Sequence, residues 1–292
     1  MIRNVAVVLA LALAQSALAQ TAPTPAPNPS PAKSSTIKPS PAKPAAKKPA
    51  PPKPDAGATA AAAQRGRCIG VIPHIGDHFV VQTIGVMAFG NDLKEVPIES
   101  WGLDDLVVAR VRAAAGAGVA VRRIAYPANA FEPFDHPPNR LFRNAAKDLK
   151  NVVQAIAGAS GCERYVVVVK DTNADSMTNQ SFTGIGIFSR AGGDVHLFAL
   201  TALSVFDGNT FEVIKGGVGA PVEQKLGSNP TLYDRLRTNP MHGPNLALKE
   251  DFPWPPSQDA VMGLRDTTRA LLAESLDKTL PKLLAPKNAD EE

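Results

Sequence analysis

The sequence predicts an α/β fold: a three-layer parallel βαβαβ core, extended by an antiparallel β-meander and closed by a C-terminal helix. Three observations lead there. The stretch Arg164 to Asp171 holds four consecutive valines between charged residues. That pattern has neither the alternation of a half-wet strand nor helical spacing, and it reads as a strand buried on both faces. Upstream, two helical patterns alternate with two apolar runs, and strand, helix, strand, helix, strand is the order of a parallel unit with right-handed crossovers. Downstream, three β-rich runs are joined by short turns, as in a meander.

Ile69-Gly70-Val71-Ile72-Pro73 is the first strand. After His74-Ile75-Gly76-Asp77-His78, the β-branched run Phe79 to Phe89 is expected to fold back as its antiparallel partner, and Asn91 to Glu99 to be a connecting loop. Ser100 precedes a helix whose Leu103, Leu106, Val107, Val111 and Ala114 recur at helical spacing, with Asp104 and Asp105 at its positive end. Gly116 and Gly118 stop it. Val119 to Tyr126 is the next strand, its alternation broken by Arg122 and Arg123. A proline-bearing loop, Pro127 to Pro138, leads to a helix from about Arg140 to Ala157 with Phe142, Ala145, Leu149, Val152, Val153 and Ile156 on its core stripe. Gly158 and Gly161 end that helix, and the valine strand follows. In the common open order the first strand lies between the other two. Phe182 to Ser189, Val195 to Phe206 and Thr210 to Lys215 form the meander, expected to extend the same sheet. Gly216 to Pro256 is a long Gly-, Asn- and Pro-rich connection, and Ser257 caps a helix reaching to about Leu284.

The folded region is a single domain over 65–285. Ahead of it, residues 1–19 have Arg3, an apolar run from Val5 to Ala14, and Ala17-Leu18-Ala19 before Gln20, the pattern of a cleavable signal peptide. The apolar run is about half the ~20 residues a membrane-spanning helix needs, and the mature chain is expected to be exported to the periplasm without a transmembrane segment. Residues 20–64 are almost entirely Ala, Pro, Lys, Ser and Thr, a solvated linker that cannot bury apolar area, and 286–292 are a short acidic tail expected to fray. The linker carries six lysines and one acid, so it and Arg3 account for +6 of the chain's +4 net charge, leaving −2 for residues 65–292. A folded region of that charge is no nucleic-acid module. Export also permits a disulfide. Cys68 and Cys162 each stand at the amino end of a predicted strand, and if those strands are parallel neighbours the two sulfurs come within bonding reach.

The order of elements resembles the α/β domain shared by curli-secretion-type lipoproteins and the amino-terminal domain of the Tol-system propeller protein. The residues that carry the likeness are Ile69 to Pro73, Tyr165 to Val169, and the run Leu200 to Ile214, whose Asp207-Gly208-Asn209-Thr210 looks like the family's turn between two strands. The lipid-bearing cysteine of many members is absent. The resemblance implies a domain that binds partners and is not an enzyme. The chain also looks similar to exported proteobacterial proteins of no assigned function.

Ligands of open α/β sheets sit beyond the carboxyl ends of the strands. That edge collects His74, Asp77 and His78 after the first strand, Asp135 and His136 after the second, and Asp171, Asn173 and Asp175 after the third. Imidazole with carboxylate suits a divalent metal, so His74, Asp77, His78, Asp135 and His136 are candidate metal ligands, although polar turns are built from the same residue types. Asp171, Asn173 and Asp175 begin like a calcium loop, but Ser176 stands where its glycine belongs and Phe182 where its glutamate belongs. No Gly-x-Ser-x-Gly elbow occurs, and no catalytic residue is assigned. The function expected is therefore that of a non-catalytic periplasmic domain, without a cofactor, that binds an envelope protein or cell-wall component through a sheet edge or the Gly216 to Pro256 connection. The alternative is a metal-dependent hydrolase at the strand-end His/Asp cluster.

Overall fold

The computed structural model describes residues 68–85, 91–138, 143–158, 160–175, 180–190, 194–222 and 241–286. Residues 1–67, with the expected signal peptide and linker, the tail from 287, and residues 223–240 of the long connection before the last helices lie outside the described residues. The strands are β1 (Cys68–His74), β2 (His78–Ile84), β3 (Asp92–Pro97), β4 (Ala120–Arg123), β5 (Arg164–Lys170), β6 (Thr172–Ala174), β7 (Ser181–Thr183), β8 (Ile185–Arg190), β9 (Val195–Ala199), β10 (Thr201–Asp207), β11 (Val213–Val218) and β12 (Asn245–Ala247). The helices are α1 (Leu103–Ala115), α2 (Glu132–Asp135), α3 (Ala145–Ala157), α4 (Gln258–Met262) and α5 (Arg265–Leu284).

The valine strand is interior, as its composition requires. In the sheet ordered β11-β10-β5-β1-β4, β5 pairs in parallel with β1 and antiparallel with β10. Val166 and Val168 face a core shared with α1 and α5, while Tyr165, Val167 and Val169 face α3. Every one of these side chains is buried, and each valine stabilises the fold by roughly 1.5–3 kcal/mol relative to leaving it in water. The first strand lies between the other two parallel strands, and this seats Cys68 beside Cys162 at one end of the sheet. The two sulfurs are bonded, with Cα atoms 4.8 Å apart. Tyr165 ties the same corner. Its hydroxyl accepts from the Cys162 amide at 3.1 Å and meets Ala157 O at 3.2 Å, where α3 ends. Its ring lies over Gly70, its registered partner on β1, where a Cβ would stand only 2.5 Å from the ring.

Outside this core the strands do not all extend one sheet: β10 and β11 do, β6 and β7 pair as a two-stranded sheet of their own, and the remainder lie elsewhere. A second sheet has the order β12-β9-β8-β2-β3. The run from Phe79 does not fold back on β1 but enters this second sheet, parallel to β8, because the chain bends at Gly76, where Asp104 accepts the amides of Ile75 at 3.3 Å and Gly76 at 3.2 Å. Asp92 to Pro97, expected as loop, is its outer strand β3, antiparallel to β2. The run Val195 to Phe206 splits at Leu200 between the two sheets. Leu200 donates to Gly184 O at 2.8 Å and accepts from Asp171 N at 3.1 Å, so the break costs no backbone hydrogen bonds. Ser100 does not cap α1; it sits in a 3-10 turn, and Gly102 in the left-handed conformation precedes the helix. Asn144 caps α3 and Ser257 caps α4, after which the last helical stretch restarts as α5.

Candidate functional site

The carboxyl ends of β1 and β4, with the start of α1, line a cleft of about 460 Å³ that has His74, Asp77, Asp104, Arg123 and Tyr126 among its walls. His74 stacks on Phe131 with ring centroids 4.0 Å apart and meets Asp135 at 2.8 Å, so the first strand end is pinned to α2. Asp77 meets Lys170 at 2.6 Å and His78 at 3.2 Å, which joins the ends of β1 and β5. His136, exposed, caps the carboxyl end of α2. The five candidate metal ligands are thus drawn into two separate pairs with His136 at the helix end. Among the described residues no group of three or more His, Cys, Asp or Glu side chains is placed to hold a metal ion.

Asp171, Asn173 and Asp175 fall along β6 and its flanks and do not wrap a common point. The Asn173 side-chain amide donates to the His242 carbonyl, and Asp171 uses its backbone to bridge Leu200 and Gly184. The side chain of Asp175 is wholly buried and takes Arg190 in an ion pair. Trp101 lies in the core, and Phe252 and Trp254 pack partly buried against it. Gly184-Ile185-Gly186 is close backbone packing, since a Cβ on Gly186 would meet Val80 O.

The sequence reading missed Lys170, Asp104, Arg123 and Tyr126 as members of this edge. Lys170 was legible only as the charged end of the valine strand, and Asp104 as a helix-dipole partner. In the structure Arg123 joins Asp104 at 3.2 Å and also binds Asp105. The Tyr126 hydroxyl donates to the Pro73 carbonyl. Burial and the nearby Asp104 carboxylate push this phenol upward, so it stays protonated as a donor. Burial also raises Asp104 above the ordinary carboxylate value, against the opposing pull of the Ile75 and Gly76 amides and Arg123.

Asp77 shows the opposite balance. Burial alone would raise it, but the hydrogen bond and charge of Lys170, with His78, lower it from 3.8 to about 2. A carboxyl depressed in the folded state contributes stability that is present above about pH 4 and lost as pH falls through about 2. The Asp77 side chain is 35% exposed, so solvent screening keeps that contribution modest. Lys170→Met is expected to lower the unfolding free energy measured in urea at neutral pH, with the gap from wild type closing between pH 4 and pH 2. A gap that stays constant across that window would remove the ion pair from this account.

A second concave feature lies on the other sheet. Val81, Thr83, Val96, Pro97, Pro255 and Val261 border a groove of about 320 Å³ beside the outer strand β3. Ile98 N donates to Asp77 O at 3.0 Å. The alternation of an antiparallel ladder then turns the backbone groups of Val96, Lys94 and Asp92 toward β2, and those of Leu93 and Glu95 outward. Leu93 is 57% exposed. Among the described residues no helix is long and apolar enough to cross a membrane.

No family model matches the chain. No curated protein matches it. Among solved structures it is similar to the PelC dodecamer from Paraburkholderia phytofirmans, at 11% identity over 76% of this chain and 91% of that one, with a TM-score of 0.28. It is also similar to protein XCC0632 from Xanthomonas campestris, of family model DUF330, at 10% identity over 75% and 81% of the chains and a TM-score of 0.30. A third is the hypothetical protein CT253 from Chlamydia trachomatis, at 12% identity over 75% and 99% and a TM-score of 0.30. None of these three is named as a curli-secretion or Tol-propeller domain, so the resemblance in the sequence gains no support as a family assignment. Likenesses of this extent carry no inference about activity or assembly.

Proposed function

We propose that this chain is an exported, non-catalytic α/β domain that holds an extended segment of another envelope protein along β3. The observation that carries the reading is a sheet edge with no further strand among the described residues, beside a groove. The outward amide and carbonyl groups of Leu93 and Glu95 supply main-chain hydrogen bonds to an added strand, and alternate side chains of that strand drop between Val96 and Val261. Asp92, Lys94 and Glu95 keep this edge from pairing indiscriminately, and Pro97 ends its row of donors. On the non-catalytic side of the reading, the imidazoles of His74 and His78 are engaged by Asp135 and Asp77. The bonded cysteines suit an oxidising compartment outside the cytoplasm.

The test is site-directed photo-cross-linking in the native host. A benzophenone side chain at position 93 is expected to give a discrete adduct, and one at the exposed Arg265 position is not. Glu95→Pro, which removes an outward amide without touching the β2 ladder, is expected to abolish the adduct while leaving the unfolding midpoint unchanged. An adduct that survives Glu95→Pro, or forms equally at position 265, refutes augmentation at this edge.

A further inference from the structure

We infer that the opposite sheet carries a second docking edge, β11, and that its occupant is β11 of another copy of this chain, antiparallel and centred on Gly216. The inference is independent of the β3 reading: different strand, different sheet, different observations.

Among the described residues β11 is the outermost strand of the sheet ordered β11-β10-β5-β1-β4. Gly219 N donates to Thr201 O at 2.7 Å, and continuing that alternation along the register turns Gly217 and Lys215 toward β10 and the backbone groups of Val218 and Gly216 outward. Ile214 is the extra residue where the register shifts between Val205 and Phe206. Outer strands are ordinarily blunted by charge, proline or brevity. β3 has its charges and Pro97, β4 is four residues with Arg122 and Arg123, and β12 is three residues. β11 has a single charge, and it is withdrawn: the Lys215 ammonium donates to Ala285 O at 2.8 Å, at the carboxyl end of α5. What remains on the strand is apolar, with Val213 at 45%, Ile214 at 40% and Val218 at 57% exposure.

The sequence of this strand is complementary to itself in one register. With Gly216 opposite Gly216 of the second copy, Val218 faces Ile214, Lys215 faces Gly217, and the outward backbone groups of Gly216 meet those of its symmetry mate. The pair of glycines leaves the two-fold axis uncrowded. Centring one residue earlier sets Lys215 against Lys215, a like-charge pair directly opposed. Centring on Ile214 brings Glu212 into the ladder, and Glu212 already holds Lys150. Charge and shape therefore select the Gly216 register, and the result is one sheet running across two copies.

Sedimentation equilibrium of the mature full chain tests this. Wild type is expected to show a monomer-dimer equilibrium in the micromolar range. Val218→Lys, which puts an exposed cation opposite Ile214 at both symmetry-related contacts, is expected to weaken it roughly tenfold. Ile214→Glu alone should weaken it similarly. An equimolar mixture of the two variants should dimerise again, because the lysine of one chain then faces the glutamate of the other. A wild-type chain that stays monomeric at high micromolar concentration overturns the inference. So does a dimer indifferent to Val218→Lys, or a mixture no tighter than either variant, since only strand pairing in this register predicts the rescue.

Discussion

Replacing Cys68 and Cys162 together by serine is expected to lower the unfolding free energy by about 3–5 kcal/mol, among the largest losses available to a paired change in this chain. The bridge spans a sequence separation of 94 residues, and in the chain-entropy picture a loop of ~100 residues costs about 4.7 kcal/mol to close without the bond. Few non-covalent contacts are lost with it. β1 and β5 stay paired in parallel along their length, so the double variant should keep its secondary structure at low temperature and unfold at lower denaturant. Arg122 sharpens the expectation. Its guanidinium lies 2.8 Å from the Cys68 sulfur and 3.2 Å from that of Cys162, and it also donates to Ser160 O, so the corner remains polar-bonded after the exchange. Urea unfolding followed by circular dichroism measures the effect. A loss below about 1 kcal/mol would mean that the unfolded chain is already compact enough for the loop to close without the bond.

Asp175→Ala is expected to cost about 3–5 kcal/mol, and it separates two readings of the same residue. As a calcium-loop ligand, Asp175 would be an anion held near solvent, and its removal from ligand-free protein would change stability little or raise it. In the structure its side chain has no exposure and pairs with Arg190, whose side chain is 16% exposed and lies 5.8 Å from the centroid of the Phe188 ring. Truncating the acid leaves a cation in an apolar setting without its partner. Replacing both members, Asp175→Ala with Arg190→Met, should recover most of the loss, because no charge is then left buried. Equal destabilisation of the single and double variants would show that packing, and not the ion pair, holds β6 against β8.

The cluster at the carboxyl edge shows how much of a site can be read in advance. The rule for open α/β sheets points to the carboxyl ends of the strands, and the structure places His74, Asp77, His78 and Asp135 at that edge. Their partners could not be read. Lys170 lies 93 positions after Asp77, and the sequence marks it only as a polar end to an apolar strand. Without that ammonium the two histidines and their carboxylates look like ligands awaiting a metal. With it, and with Asp135 on His74, the same side chains join the ends of β1 and β5 to each other and β1 to α2.

Local chemistry decided the parallel core. A run of four valines needs cover on both faces wherever it is placed, a crossover between parallel strands has one favoured hand, and the common open order sets β1 between β4 and β5, where the structure has it. The position of each cysteine at a strand start then brings Cys68 to Cys162. Tertiary structure alone decided that the later strands do not all join the parallel core's sheet, that Asp92 to Pro97 is an outer strand, and that β11 has no further strand beside it among the described residues, its lysine folded away. The physical reason is that a β-strand takes half its hydrogen bonds from a neighbour far along the chain, and two apolar strands of the same period are interchangeable until burial on a particular face chooses between them.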